Sequence, residues 1–191
     1  MILEQEFKNG LIERLSRINS GWIDGDKEEG EIKKADIVNH QLKIAVEIKD
    51  DTKYKIEIPR SSVMVGGGQD LTLMNQRFED RIRSANRKFD EYNGYKTILL
   101  FRTEFWVPEI IRYAIEGLHT YRYSSVMDNL IYSGRVSKYS EYNRKHIGCF
   151  LIFNLGKAYY FPNHFAHEIR VLSKEEVSSV SGLEFKEVEQ V

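Results

Sequence analysis

The stretch KKADIVNHQLKIAVEIKDD, residues 33–51, constrains the fold of this chain more than any other. From Ile44 to Lys49 the side chains alternate with a period of two. Ile44, Val46 and Ile48 are apolar, and Ala45, Glu47 and Lys49 fall between them. That period belongs to an extended strand, where alternate side chains share a face. Residues 33–39 also have strand character, and Asn39-His40-Gln41 is a turn signal. The sequence therefore predicts a hairpin of 33–39 against 42–49, with Ile44, Val46 and Ile48 toward a core. Counted back from the turn, Asp36 falls across from or diagonal to Glu47.

The surrounding pattern is mixed. Leu3, Phe7, Leu11, Leu15 and Ile18 recur at three- and four-residue steps and predict a helix over 2–18, weakened by Gly10. A polar loop with a short strand around Trp22 follows. Residues 54–59 read as extended and 60–70 as a flexible loop. Leu73, Phe78, Ile82, Ala85 and Phe89 predict a long helix over 71–92, and 95–101 a buried strand. The first hundred residues thus run α, β, β, β, α, β. Beyond them, VPEIIRYAIEGL reads as a helix with Pro108 in its first turn. SSVMDNLIY (124–132) reads as a short helix, and IGCFLIF with AYYFP as a hairpin. The acidic last twenty residues are open between a peripheral helix or strand and a disordered tail.

Composition removes several classes. The length of 191 residues suits one domain, or one domain with an extension. Cys149 is the sole cysteine, which excludes an intramolecular disulfide and a Cys-rich zinc site and fits a reducing cytoplasm. MILEQEFKNG is acidic and lacks a long apolar core, so it does not read as a signal peptide. No apolar run is long enough to span a membrane. The net charge of −1 leaves only the distribution of charge to speak about an anionic partner.

Asp36 and Glu47, with a backbone carbonyl such as that of Ile48, make a sparse set of hard oxygens suited to Mg²⁺ or Mn²⁺. A cation there lowers the pKa of its water and polarises a phosphoryl group. Lys49, on the face of Glu47, is placed to orient the water and stabilise developing charge. The competing reading is plain. Glu-x-Lys on an amphipathic strand is a common solvated face, and Asp36 is then a strand-edge charge.

ADIV, followed ten residues after its aspartate by EIK, resembles the PD-(D/E)XK nuclease superfamily, whose core runs α-β-β-β-α-β. Asp36, Glu47 and Lys49 match the three motif positions, and Ala35 stands where many members have proline. The resemblance covers about half the chain. It implies an α/β fold with a restriction-endonuclease-like mixed sheet over residues 1–104, carrying a C-terminal α+β extension over 105–191. It implies cleavage of DNA phosphodiesters with Mg²⁺ or Mn²⁺, endonucleolytic rather than exonucleolytic, with RNA left open. Asp36, Glu47 and Ile48 are then the metal ligands and Lys49 the catalytic lysine. Members also place a glutamate on the first helix; Glu4 lies on the apolar stripe and is the candidate, with Glu6 and Glu13 as fallbacks. On the long helix, Ala85 is the close-packing position and Lys88 the cleft-facing one, with Arg81 and Arg83 as phosphate contacts. Small nucleases of this kind often form homodimers.

Other features are less specific. VGGGQDL lacks the ending of a nucleotide-binding loop and reads as a mobile loop or a connector. Residues 121–146 interleave tyrosines with Arg122, Arg135, Lys138, Arg144 and Lys145, which suits nucleic acid or a protein interface. Within them Arg135 and Lys138 are the candidate nucleic-acid contacts. His164 and His167 lack a third metal ligand and read as surface or satisfied histidines. The alternatives to a nuclease are a catalytically inactive nuclease-like domain that binds DNA or protein, and a plain α+β interaction domain. Within the opening stretch, Asp50, Asp51 and Lys43 read as ordinary solvated residues beside Asp36, Glu47 and Lys49.

Overall fold

In the computed structural model, which describes residues 4–27, 34–52, 71–104, 108–116, 121–124, 129–132 and 142–186, the alternating stretch becomes an inner strand of a seven-stranded mixed sheet. The chain opens with α1 (Glu4–Ser16) and β1 (Trp22–Asp24), then a single 3₁₀ turn (Gly25–Lys27). Strands β2 (Ile37–Asn39) and β3 (Ile44–Asp50) form the expected hairpin. Asn39 builds its turn, accepting from the Leu42 N–H at 2.9 Å, and its own amide donates to the Ser20 carbonyl at 2.9 Å. Helix α2 (Leu71–Asp90) crosses to β4 (Lys96–Thr103), which pairs parallel to β3. Then come α3 (Pro108–Glu116), β5 (Tyr121–Ser124), β6 (Asn129–Tyr132), β7 (Cys149–Asn154) and β8 (Lys157–Pro162). A 3₁₀ turn (Glu168–Arg170), α4 (Lys174–Ser181) and β9 (Phe185–Lys186) complete the order.

The sheet runs β1-β2-β3-β4-β7-β8-β9. Its centre, β3-β4-β7, is parallel, and antiparallel pairs flank it. The chain is therefore α/β, and its sheet passes without interruption from β4 to β7. Among described residues the strands between α1 and α2 are β1, β2 and β3; residues 54–59 and the glycine loop lie outside the described residues. The short helix expected over 124–132 is not formed at its end: Asn129–Tyr132 is a strand paired antiparallel with β5 in a separate two-stranded sheet. The aromatic and branched residues of these segments favour extended backbone when a partner strand is adjacent. Of the open readings for the last twenty residues, α4 and then β9 are what the described part contains.

Both faces of the sheet are covered, as a parallel centre requires. On one face Ala45, Leu99, Phe101, Phe150 and Ile152 pack with Phe78, Ile82, Ala85 and Phe89 of α2 and with Ile111 and Ile115 of α3. On the other, Ile44, Val46, Ile48, Ile98, Leu100 and Leu151 pack with Leu11 and Leu15 of α1 and Val177 of α4. The steps 78, 82, 85 and 89 put one stripe of α2 inside. Beyond that stripe α2 is tied down by polar groups. Arg144, fully buried, pairs with Glu79. Asn86 accepts from the His146 N–H at 2.8 Å, and Arg170 donates to the last carbonyls, those of Phe89 and Tyr92. A guanidinium at a helix C-terminus satisfies carbonyls that have no partner within the helix.

Candidate active site

Glu47 lies in the middle of β3 on the α2 face, between Ala45 and Lys49 in the alternation. It is fully buried. A lone carboxylate in that position costs several kcal/mol (about 3–5 when a partner is removed). Here it has two ammonium partners. Lys49 donates to Oε1 at 2.6 Å. Lys88, reaching across from α2, lies 2.7 Å from Oε1 and donates to Oε2 at 2.9 Å. The spacing that put Lys88 three residues after the close-packed Ala85 does aim it at the strand. Burial would lower the Lys88 pKa, but the hydrogen bond and charge of Glu47 outweigh it, with help from Asp36 and Asp26, and hold it above its ordinary value.

Asp36 precedes β2. The last β2-β3 pairs are Ile37 with Val46 and Val38 with Ala45, so one further step sets Asp36 opposite Glu47. The hairpin has already ended as a ladder there. The Asp36 side chain takes over, its Oδ2 accepting from the Ile48 N–H at 2.6 Å. The Ile48 carbonyl leaves the strand on the same side as that N–H. Burial first, and then the charge of Glu47, push the Asp36 carboxyl up to about 6. The Ile48 N–H, Lys88 and Lys49 act in the opposite direction and do not cancel this. Two carboxylates, a backbone N–H and carbonyl, and two ammonium groups thus converge where β2 and β3 part.

No family model, curated protein or solved structure matches this chain. The side-chain geometry carries the functional reading.

Around this cluster the charges differ from their expected roles. Asp51 is buried and accepts from Arg77 and Arg81, the latter at 2.8 Å. Asp50 pairs with Arg102 at 2.9 Å, and the Arg102 guanidinium lies 4.7 Å from the centre of the Phe7 ring. Neither aspartate is an ordinary solvated residue; each takes part in an ion pair at the C-terminal end of β3. Arg81, expected at phosphate, faces Asp51. Arg83 is exposed, 3.5 Å from Asp80. Glu4 is exposed in the first turn of α1, with no described hydrogen bond to Asp36 or Glu47. Arg135 and Lys138 lie outside the described residues. His164 and His167 are exposed, and among the described residues no three His, Cys, Asp or Glu side chains are grouped to hold a metal ion.

A second charged group adjoins the first and was not anticipated. Lys8 of α1 is buried, its ammonium 2.6 Å from both Asp24 and Asp26. Burial would lower Lys8, yet the hydrogen bonds and charges of the two aspartates hold it above its ordinary value. Asp24 is opposed by burial and nonetheless held below its ordinary value by Lys8. The turn that carries Asp26 is pressed onto the strand before Asp36. The Gly25 N–H donates to the Asp36 carbonyl at 3.0 Å, and a Cβ on Gly25 would lie 2.0 Å from the Ala35 carbonyl oxygen. The available signal was spacing: Lys8, Leu11 and Leu15 share the helical stripe that had been followed to Glu4.

Proposed function

We propose that the protein is a metal-dependent nuclease that hydrolyses DNA phosphodiester bonds at the Asp36–Glu47–Lys49 cluster, on a restriction-endonuclease-like core. The observation that supports it most is Glu47: a carboxylate buried in an inner strand, opposite a second carboxylate and between two lysines. A solvated strand face does not bury its glutamate, and an ion pair made only for stability needs no second carboxylate opposite it.

The donor set suits a hard divalent cation. Asp36 and Glu47 offer carboxylate oxygens and Ile48 a carbonyl; burial first and then the charge of Glu47 raise Asp36, and a cation would offset both. Mg²⁺ or Mn²⁺ held by these groups would supply a more acidic water and a polarised phosphoryl oxygen. The chain's own residues do the rest. Lys49 orients the attacking water and stabilises charge on the phosphoryl oxygens. Lys88 and Arg81, on the α2 side of the cleft, hold the flanking phosphates, and Arg83, Arg135 and Lys138 extend that contact. DNA is preferred over RNA, and endonucleolytic over exonucleolytic cutting, from the family resemblance alone. A homodimer would let two sites address two strands. Among described residues no helix is long and apolar enough to cross a membrane.

One observation favours a second reading. Both Glu47 oxygens already have lysine partners, so the site is neutralised without a cation, as in a nuclease-like domain that binds DNA or protein without cutting. Incubation with supercoiled, linear and branched DNA in Mg²⁺, Mn²⁺ or chelator separates the two. Metal-dependent cutting that Asp36→Ala and Lys49→Ala both abolish supports the nuclease; binding of the same DNA without cutting supports the second reading.

A further inference from the structure

We propose that Lys88 is an exchangeable counter-cation: it holds the Glu47 carboxylate in the metal-free protein, and gives it up to become a phosphate ligand when a divalent cation binds. The inference rests on the nuclease reading above and concerns how that site is loaded.

Geometry separates the two lysines. Lys88 contacts both Glu47 oxygens, at 2.7 and 2.9 Å, and so stands directly in front of the carboxylate. That is the place a cation must occupy. Lys49 contacts Oε1 alone, at 2.6 Å. Lys49 also rides on β3 two residues from Glu47, so strand and lysine keep their relation. Lys88 comes from α2, the opposite wall. Both lysines have flexible four-carbon stems and similar exposure, 19% for Lys49 and 21% for Lys88. The difference lies in the element each rides on and in the number of Glu47 oxygens it covers.

Charge sets the direction. With both carboxylates ionised, Asp36, Glu47, Lys49 and Lys88 sum to zero. A divalent cation added to all four leaves an excess of two positive charges around the two carboxylates. Like charges at contact distance in a partly buried site repel strongly. Withdrawal of Lys88 relieves that repulsion. The released ammonium remains on α2 with Arg81, seven residues back on the same side of the helix, whose Nη1 is buried without a hydrogen-bond partner. A phosphate oxygen entering the cleft would pair with the released ammonium. Lys88 therefore couples loading of the cation to exposure of a phosphate-binding group.

Two measurements on the full chain test this without reading cleavage. The first is amine acetylation of the wild-type protein, read residue by residue by mass spectrometry with and without Mn²⁺. Lys88 is expected to react severalfold faster with Mn²⁺, while Lys8, held by Asp24 and Asp26, keeps its rate. The second is calorimetric titration with Mn²⁺. Lys88→Met should bind about tenfold more tightly than wild type, the change produced by removing a competing ion pair worth about 1.4 kcal/mol. Asp36→Ala should not bind. If Mn²⁺ binds the wild type and Lys88 acetylation stays constant or falls, the exchange is wrong, and the nuclease reading stands if cutting persists. Unchanged or weaker Mn²⁺ binding by Lys88→Met overturns it equally. If Mn²⁺ does not bind through Asp36 at all, both inferences fall. Should Lys88→Met not fold, acetylation of the wild type decides alone.

Discussion

The Asp36 carboxylate accepts the Ile48 N–H at 2.6 Å, in the place where a β2 carbonyl would otherwise continue the ladder. That bond needs an oxygen acceptor and no charge. Asp36→Asn should keep it and remove the repulsion with Glu47. The folded-state pKa of Asp36 is about 6, above its ordinary value of 3.8, so the ionised form destabilises the fold at neutral pH. The metal-free variant should therefore be more stable than wild type by about 1–2 kcal/mol, a few degrees in Tm. The gain should be full above pH 6 and shrink as the pH falls toward 3.8, because wild-type Asp36 then takes up its own proton on folding. Thermal unfolding across that range checks it, and the same variant should lose cutting.

His146 should give the opposite slope. Burial lowers its pKa below the ordinary 6.5; Asp90, 3.0 Å away, opposes this, and Lys145, Arg170 and His167 add to it. The unfolded chain takes the proton first as pH falls, so stability present above 6.5 is lost through and below that value. Measured in the Asp36→Asn background, which removes the competing slope, urea midpoints should drop on acidification. His146→Gln should flatten that drop.

Two glycines should respond in opposite ways to alanine. Gly25 has no room for a Cβ, which would overlap the Ala35 carbonyl. Gly25→Ala should cost about 2–4 kcal/mol and disturb the strand leading into Asp36. Gly10 lies in the middle of α1 with nothing within 4 Å. Gly10→Ala should stabilise by about 0.5–1 kcal/mol through helix propensity. Denaturant titration of both variants reads the two signs.

Asp51 is the buried acceptor shared by Arg77 and Arg81. Asp51→Ala leaves two guanidinium groups facing each other in a partly buried place. A loss of about 3 kcal/mol in chemical unfolding is expected. Asp51→Glu should recover part of it.

What could be read from sequence follows the range of the forces involved. The alternation of Ile44 to Lys49 is local, and it correctly put Glu47 and Lys49 on one face with Ala45. Lys88 was named through the family resemblance, which pairs a close-packing position, Ala85, with a cleft-facing one three residues on. Burial of that charged face was not legible, since it depends on α2 covering β3. Asp50 and Asp51 looked solvated because their partners are remote: Arg102 lies 52 residues away and Arg77 26. The N-terminal stripe was legible as a helix, yet its start at Glu4 leaves that glutamate exposed and makes Lys8 the buried charge. Asn129–Tyr132 is a strand because β5 pairs with it, a fact that its own short apolar run does not carry.

The most direct test of the account is the rate of supercoiled-plasmid nicking in Mn²⁺ by wild type and by Lys49→Ala at equal, saturating enzyme. Lys49 assists the water and is no metal ligand, so the variant should bind Mn²⁺ while nicking at least about a hundredfold more slowly. Nicking at the wild-type rate by Lys49→Ala, or nicking by the wild type that persists in chelator, would contradict the assignment of this cluster as the active site.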